Sequence, residues 1–162
     1  MAIIYCDMDG VLADFKTAAV RTTGMSINKW MNIPSSKEKW SLIKKKKDFW
    51  STLPWMPGGK QLWSYIKKHD PHILSAYVEE SFDPNCIPGK TAWLRRNAGM
   101  TNRSKINLVR RKEKKLFARK GKPSILIDDY EKNVKEFIAN GGKGIHHTNT
   151  SKTIAELKRL GF

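Results

Sequence analysis

The stretch MAIIYCDMDGVLAD, residues 1–14, decides the fold. Its first six residues form an apolar run of the length expected for a buried strand. Asp7-Met8-Asp9-Gly10 follows at once, so two carboxylates stand two residues apart at the strand's carboxyl end. Open α/β sheets hold their chemistry at that edge. Gly10 lets the backbone turn tightly there. A carboxylate pair so placed can hold a divalent cation, and one member can attack phosphorus while the other handles the proton. A strand, a polar turn and a helix cap would give the same pattern without chemistry, so the decision falls to the rest of the chain.

A second apolar run also ends in acids: Ser124-Ile125-Leu126-Ile127 leads into Asp128-Asp129-Tyr130. If the two strands are parallel neighbours, four carboxylates converge on one sheet edge. Like charges packed that closely are unfavourable unless a cation or a proton offsets them. Magnesium is the simplest occupant, since it prefers hard oxygen ligands and commonly uses one or two carboxylates with phosphate and water.

Between and beyond these runs, strand and helix patterns alternate. Strands are expected at 2–6, 72–75, 105–109, 124–127 and 144–147, and helices at 12–23, 58–68, 90–98, 131–139 and 153–160. Leu62, Tyr65 and Ile66 recur at helical spacing, and Asn140-Gly141-Gly142 stops the fourth helix. Such alternation predicts an α/β fold, a parallel sheet flanked by crossover helices. Residues 24–56, rich in Trp, Lys, Ser and Pro, break the rhythm. They read as a small helical cap inserted after the first strand, bounded at 16–56, within one domain spanning 1–162. A chain of 162 residues can bury one sizeable core with such an insertion. No internal repeat is visible.

Taken in order, these motifs resemble the haloacid dehalogenase (HAD) superfamily of phosphatases, and DMDGVLADF, residues 7–15, is similar to the opening motif of the 5'(3')-deoxyribonucleotidase family. Asp7 and Asp9 match the first motif. Ser75, closing His72-Ile73-Leu74-Ser75, matches the second, and Asp128 with Asp129 the fourth. FWSTLPWMPGG, residues 49–59, is similar to the segment by which the family returns from its cap to the core. The resemblance implies a Rossmann-like HAD-type fold and a magnesium-dependent phosphomonoesterase, with a nucleoside monophosphate as substrate. It implies that Asp7 is the nucleophile and Asp9 the acid and base. Asp7 and one or both of Asp128 and Asp129 would be metal ligands, joined by the backbone carbonyl of Asp9, and Ser75 would donate to a phosphoryl oxygen.

The third motif is a phosphate-binding lysine, and Lys112, Lys114 and Lys115 all compete for it. Lys114 is favoured because it precedes Leu116-Phe117 much as the family lysine precedes a short apolar helix, while Lys112 lies nearer the strand end and is the runner-up. Phe49 and Trp50, with Trp55, could stack on a nucleobase near the cap, although aromatic clusters in small lids also serve as core. Tyr77 follows the second motif and could face substrate. Asp14 suits a helix-face carboxylate as well as the opening motif. Asn133 could tie the fourth-motif loop to the core. Lys90-Thr91 opens the expected helix at 90, though no glycine-rich phosphate loop accompanies it. His146 and His147 lack partners at zinc-ligand spacing and read as structural.

Thirty-one Lys and Arg oppose fifteen Asp and Glu, a net charge of +16. That field attracts nucleotides, nucleic acid or other polyanions. Lys44-Lys45-Lys46-Lys47 forms one basic run, and 103–122 holds another; solvated faces account for such runs equally well. Nonspecific nucleic-acid contact is therefore an expected partner besides the small phosphoester, and a phosphatase of polynucleotide ends or sugar phosphates, or a non-catalytic nucleic-acid binder, are the alternatives. No apolar run is long enough to cross a bilayer, so no membrane partner is expected. Residues 1–14 lack the features of a secretory signal, and Cys6 and Cys86 offer neither a disulfide framework nor metal spacing. The expected location is the cytoplasm.

Overall fold

A computed structural model describes residues 2–119 and 121–162. It contains a five-stranded, all-parallel sheet: β1 (Ile3–Cys6), β2 (His72–Ala76), β3 (Ile106–Val109), β4 (Ser124–Asp128) and β5 (Lys143–His146). The spatial order is β3-β2-β1-β4-β5. The chain therefore winds one way from β1 through β2 to β3, then returns to the other side of β1 with β4 and β5. The switch point lies between β1 and β4, where a crevice opens at the carboxyl ends in folds of this kind. Both acidic runs end there. The fold is α/β, as the alternation predicts.

By their contacts the residues fall into two compact units. The first comprises Met1–Ala13, Trp55–Ala76 and Asn102–Phe162. It carries the sheet, α4 (Gly59–Ile66), α6 (Glu131–Ala139) and α7 (Thr150–Arg159). Tyr5, Leu74, Leu126 and Phe137 form one buried cluster, with Ile3, Val109, Phe117 and Ala118 packed against it. Every residue of β4 is buried, which explains the apolar Ile125-Leu126-Ile127 at its centre. Val134 and Phe137 of α6 are buried at helical spacing.

The turn after β1 is fixed by its own backbone. The amides of Val11, Leu12 and Ala13 all donate to the Met8 carbonyl. The returning segment docks on this turn: Met56 donates to the Leu12 carbonyl at 2.7 Å, and Trp55 bridges Ala13.

The second unit comprises Asp14–Pro54 and Tyr77–Thr101. It holds α1 (Phe15–Thr23), α2 (Ile27–Met31), α3 (Ser36–Lys44) and α5 (Cys86–Ala98). The expected cap at 16–56 lies largely in its first segment; the sequence reading did not include 77–101 with it. Helix α5 begins at Cys86, four residues earlier than the pattern suggested, because Pro88 falls in the first turn, where a missing N–H costs nothing. Lys90 is therefore inside the helix rather than at its start, and it is buried with its ammonium 5.3 Å from the Trp50 ring centroid. Asp14 caps α1, accepting from the Thr17 amide and hydroxyl. Phe15, Trp30, Trp40, Phe49 and Trp50 make a continuous aromatic cluster with centroids 5.0–6.1 Å apart.

Candidate active site

The ladder between β1 and β4 builds the site. Cys6 pairs with Ile127, and the Asp7 amide extends the ladder by donating to the Ile127 carbonyl at 2.9 Å. Asp7 and Asp128 consequently emerge side by side at the crevice. Both are buried. Carboxylate oxygens of Asp7, Asp128 and Asp129 lie within 4.8 Å of one another. Asp9 is not in that side-chain cluster; its implied contribution is a backbone carbonyl. On the other flank of β1, Ser75 is buried in β2, two residues past the Cys6–Ile73 pair.

Of the three candidate lysines, Lys114 is the one at the cluster. It is 2% exposed, and its Nζ lies 2.8 Å from Asp128 Oδ2 and 3.1 Å from Asp7 Oδ1. Lys112 is exposed and Lys115 half-buried, and neither joins these contacts. Residues Arg111–Arg119 form a 3-10 helix. Three residues per turn aligns Arg111, Lys114 and Phe117 on one face, and Phe117 packs on the core cluster. Lys112 belongs to a different row.

Around Asp128 the hydrogen bonds are dense. The Tyr130 amide donates to Oδ1 at 2.9 Å and the Asn133 amide group to Oδ2 at 3.1 Å. Asn133 thus ties the acidic loop to α6. It is held in turn by Arg111, which donates to Asn133 Oδ1 and pairs with Glu136, each at 2.9 Å. His146 Nε2 lies 3.0 Å from the Asp129 carbonyl oxygen. No sequence signal assigns Arg111 this role, and His146, read as structural, is not singled out as a neighbour of Asp129. His146 reaches Asp129 because β5 places it opposite Asp128, a register no local pattern announces. His147 is buried against Thr153, which fits its structural reading.

Electrostatics follow from the crowding. Burial, then Asp7, push the Asp128 carboxyl up to about 6, despite Lys114 and the Tyr130 amide pulling it down. Asp129 is also raised, by burial and by Asp128. Burial alone would lower the Lys114 ammonium, but Asp7 and Asp128 override it and hold it above its ordinary value. Three carboxylates thus face one ammonium, with only oxygen donors in the acidic group. That composition fits a hard divalent cation such as magnesium.

Gly10 packs against this cluster. A Cβ there would sit 2.1 Å from Asp129 Oδ2, and the residue has φ +80°, a conformation that L side chains rarely adopt. Gly10→Ala should displace Asp129 and weaken divalent-cation binding at least about tenfold, a loss of the size that disturbed ligand positioning produces. Calorimetric titration with magnesium checks this, and unchanged affinity would show that Asp129 is not a ligand.

The residues expected at a base belong to the second unit. Phe49 and Trp50 are each 1% exposed, inside the aromatic cluster of the second unit. Neighbouring rings flank both residues, and the Trp50 indole donates to Asp83 at 2.8 Å. Tyr77 is half-buried and also belongs to the second unit.

No protein-family model and no curated protein sequence matches the chain. Solved structures do match in fold. A hydrolase from Streptococcus pneumoniae TIGR4 superposes with a TM-score of 0.56 at 11% identity, covering 96% of this chain and 97% of that one. A HAD family hydrolase from Deinococcus radiodurans R1, with bound phosphate and sodium, gives 0.56 at 12% identity, with coverages of 99% and 88%. The L-2-haloacid dehalogenase of Xanthobacter autotrophicus gives 0.57 at 13% identity, with coverages of 100% and 84%. The chain thus has the HAD-type Rossmann-like fold. No helix among the described residues is long and apolar enough to cross a membrane.

Proposed function

We propose that this chain is a magnesium-dependent phosphomonoesterase that dephosphorylates nucleoside monophosphates through a phosphoryl group carried on Asp7. The supporting observation is the group of buried Asp7 and Asp128 and half-buried Asp129, with Lys114 against the first two, at the switch point of the sheet. Asp7 attacks phosphorus in line, forming an acyl phosphate as the bond to the leaving oxygen breaks. Asp9 protonates that oxygen, then takes a proton from the water that attacks the phosphorylated Asp7. Ser75 donates to one phosphoryl oxygen and Lys114 neutralises another, fixed groups of the kind that carry much of phosphoryl-transfer catalysis. Asp7, Asp128 and Asp129 would hold the ion with the Asp9 carbonyl. Bound magnesium would screen Asp7 from the phosphate dianion and stabilise charge in the transition state.

The nucleotide assignment rests on the resemblance of residues 7–15 to deoxyribonucleotidases. A second reading, kept open by the net charge of +16, is a phosphorylated polynucleotide end. Phosphate release from 5'- and 3'-nucleoside monophosphates, phosphorylated oligonucleotides and sugar phosphates, with magnesium and with chelator, ranks these substrates. Release that ignores chelation would overturn the metal-dependent reading. A reducing cytoplasm is the proposed setting, in keeping with a sequence of only two cysteines, both buried.

A pH dependence follows. The folded-state value of Asp128 lies above the ordinary carboxylate value, so ionising it in the metal-free fold costs stability above about pH 6, a cost relieved as pH falls through that value. A cation relieves the same cost but competes with the proton. Magnesium should therefore raise the melting temperature clearly at pH 7.5 and progressively less towards pH 5. A magnesium shift independent of pH would place the ion away from Asp128.

A further inference from the structure

We infer that the second unit carries a binding cleft for the phosphate backbone of a single-stranded nucleic acid, centred on Arg21. A cleft of about 660 Å³ lies between α1 and the chain after α3, lined by Arg21, Lys45 and Lys46, the hydroxyl residues Thr22 and Thr52, and the buried ring of Phe49. A second cleft of about 320 Å³ runs along α1 beside Lys16, Thr17 and Arg21. Arg21 is common to both linings.

No carboxylate lines either cleft. Segment 14–54 carries nine basic residues and three acidic ones. Asp14 caps α1, Glu38 lies in the first turn of α3, and Asp48 pairs with Lys46 at 3.3 Å, offsetting one of the three cations of the larger cleft. A convex lysine face is well solvated and needs no ligand. A concave track of one sign with apolar walls concentrates its field and favours an extended anion. The lining has two hydroxyl residues to donate to phosphate oxygens, and no exposed aromatic ring to read bases, so binding should be backbone-directed and indifferent to sequence. The track uses the Lys44–Lys47 run and is independent of the phosphatase reading, since it shares no residue with the carboxylate site.

Fluorescence anisotropy with a labelled mixed-sequence 12-mer of single-stranded DNA, titrated across salt, tests this. Arg21→Gln/Lys45→Gln/Lys46→Gln should lower the salt slope by about 2 and the affinity about 100-fold at 0.1 M salt, at roughly 0.7 per phosphate contact on a single strand. The control Lys29→Gln/Lys37→Gln/Arg95→Gln removes three exposed cations of the same unit that line neither cleft and should change binding several-fold at most. Coincident melting curves exclude misfolding, and Asp7→Asn should bind like the parent. Equal losses in both triple variants would reduce the effect to diffuse charge and overturn the proposal, as would no binding by the parent. Competition by inorganic phosphate or a mononucleotide at the oligonucleotide's affinity would overturn the strand in favour of an isolated anion.

Discussion

Asp7→Asn should reduce phosphate release by at least about 10⁴-fold, the scale of loss when a covalent nucleophile is removed, while the protein still folds. The substitution is nearly isosteric. The neutral amide cannot form an acyl phosphate, so the double-displacement route is closed rather than slowed. The stability side follows from the neighbours. The variant retains the backbone bond to Ile127 and keeps a side-chain oxygen that can accept from Met8, as Asp7 Oδ1 does now at 2.8 Å. It loses one ionic contact to Lys114 but also relieves the repulsion that raises Asp128. The two changes oppose each other, so the melting temperature should stay within a few degrees of the parent. Steady-state phosphate release and thermal melting on the same preparations decide the matter. More than about 1% residual activity would mean that water, not Asp7, attacks phosphorus.

What the sequence revealed and what it hid have physical causes. Both strand-end acid clusters are visible because a buried strand needs consecutive apolar residues, and acids that end such a run stand out. That β4 lies beside β1 is not visible locally, since parallel partners meet only through crossovers; from sequence the adjacency is only a condition, and the sheet order supplies it. The choice among Lys112, Lys114 and Lys115 was open because it depends on a 3-10 period over Arg111–Arg119, whereas the reading assumed a short apolar helix. The aromatic cluster was ambiguous for another reason. Phe15, Trp30, Trp40, Phe49 and Trp50 have no common spacing, so nothing in their pattern separates a mutually packed core from a surface that receives a base. Likewise, the charge of +16 was plain, but its concentration into a track through Arg21 requires α1 and the residues after α3 to be placed together.

Lys114→Met should have the largest effect on stability and a severe one on activity. Lys114 is the cation that two buried carboxylates share, at 2.8 and 3.1 Å. Methionine has a similar length and no charge, so the three carboxylates would face one another without compensation. Removing one partner of a buried ion pair costs about 3–5 kcal/mol because the remaining charge stays desolvated. In a chain of this size, at about 2–4 °C per kcal/mol, the metal-free variant should melt about 10 °C below the parent. The origin of the loss has its own signature. Magnesium, or lowering the pH from 7.5 to 5, should restore much of the stability by neutralising the acids, and adding Asp128→Asn should rescue the variant more than it affects the parent. Neither treatment would restore turnover, since the phosphoryl oxygen still lacks its ammonium. Lys112→Met, at an exposed position of the same helix, should leave both properties nearly unchanged. A Lys114→Met protein that melts within about 2 °C of the parent without metal, less than a single kcal/mol of lost stability, would mean that the carboxylates take up protons or water instead. The lysine would then be an accessory of the site rather than its counter-charge.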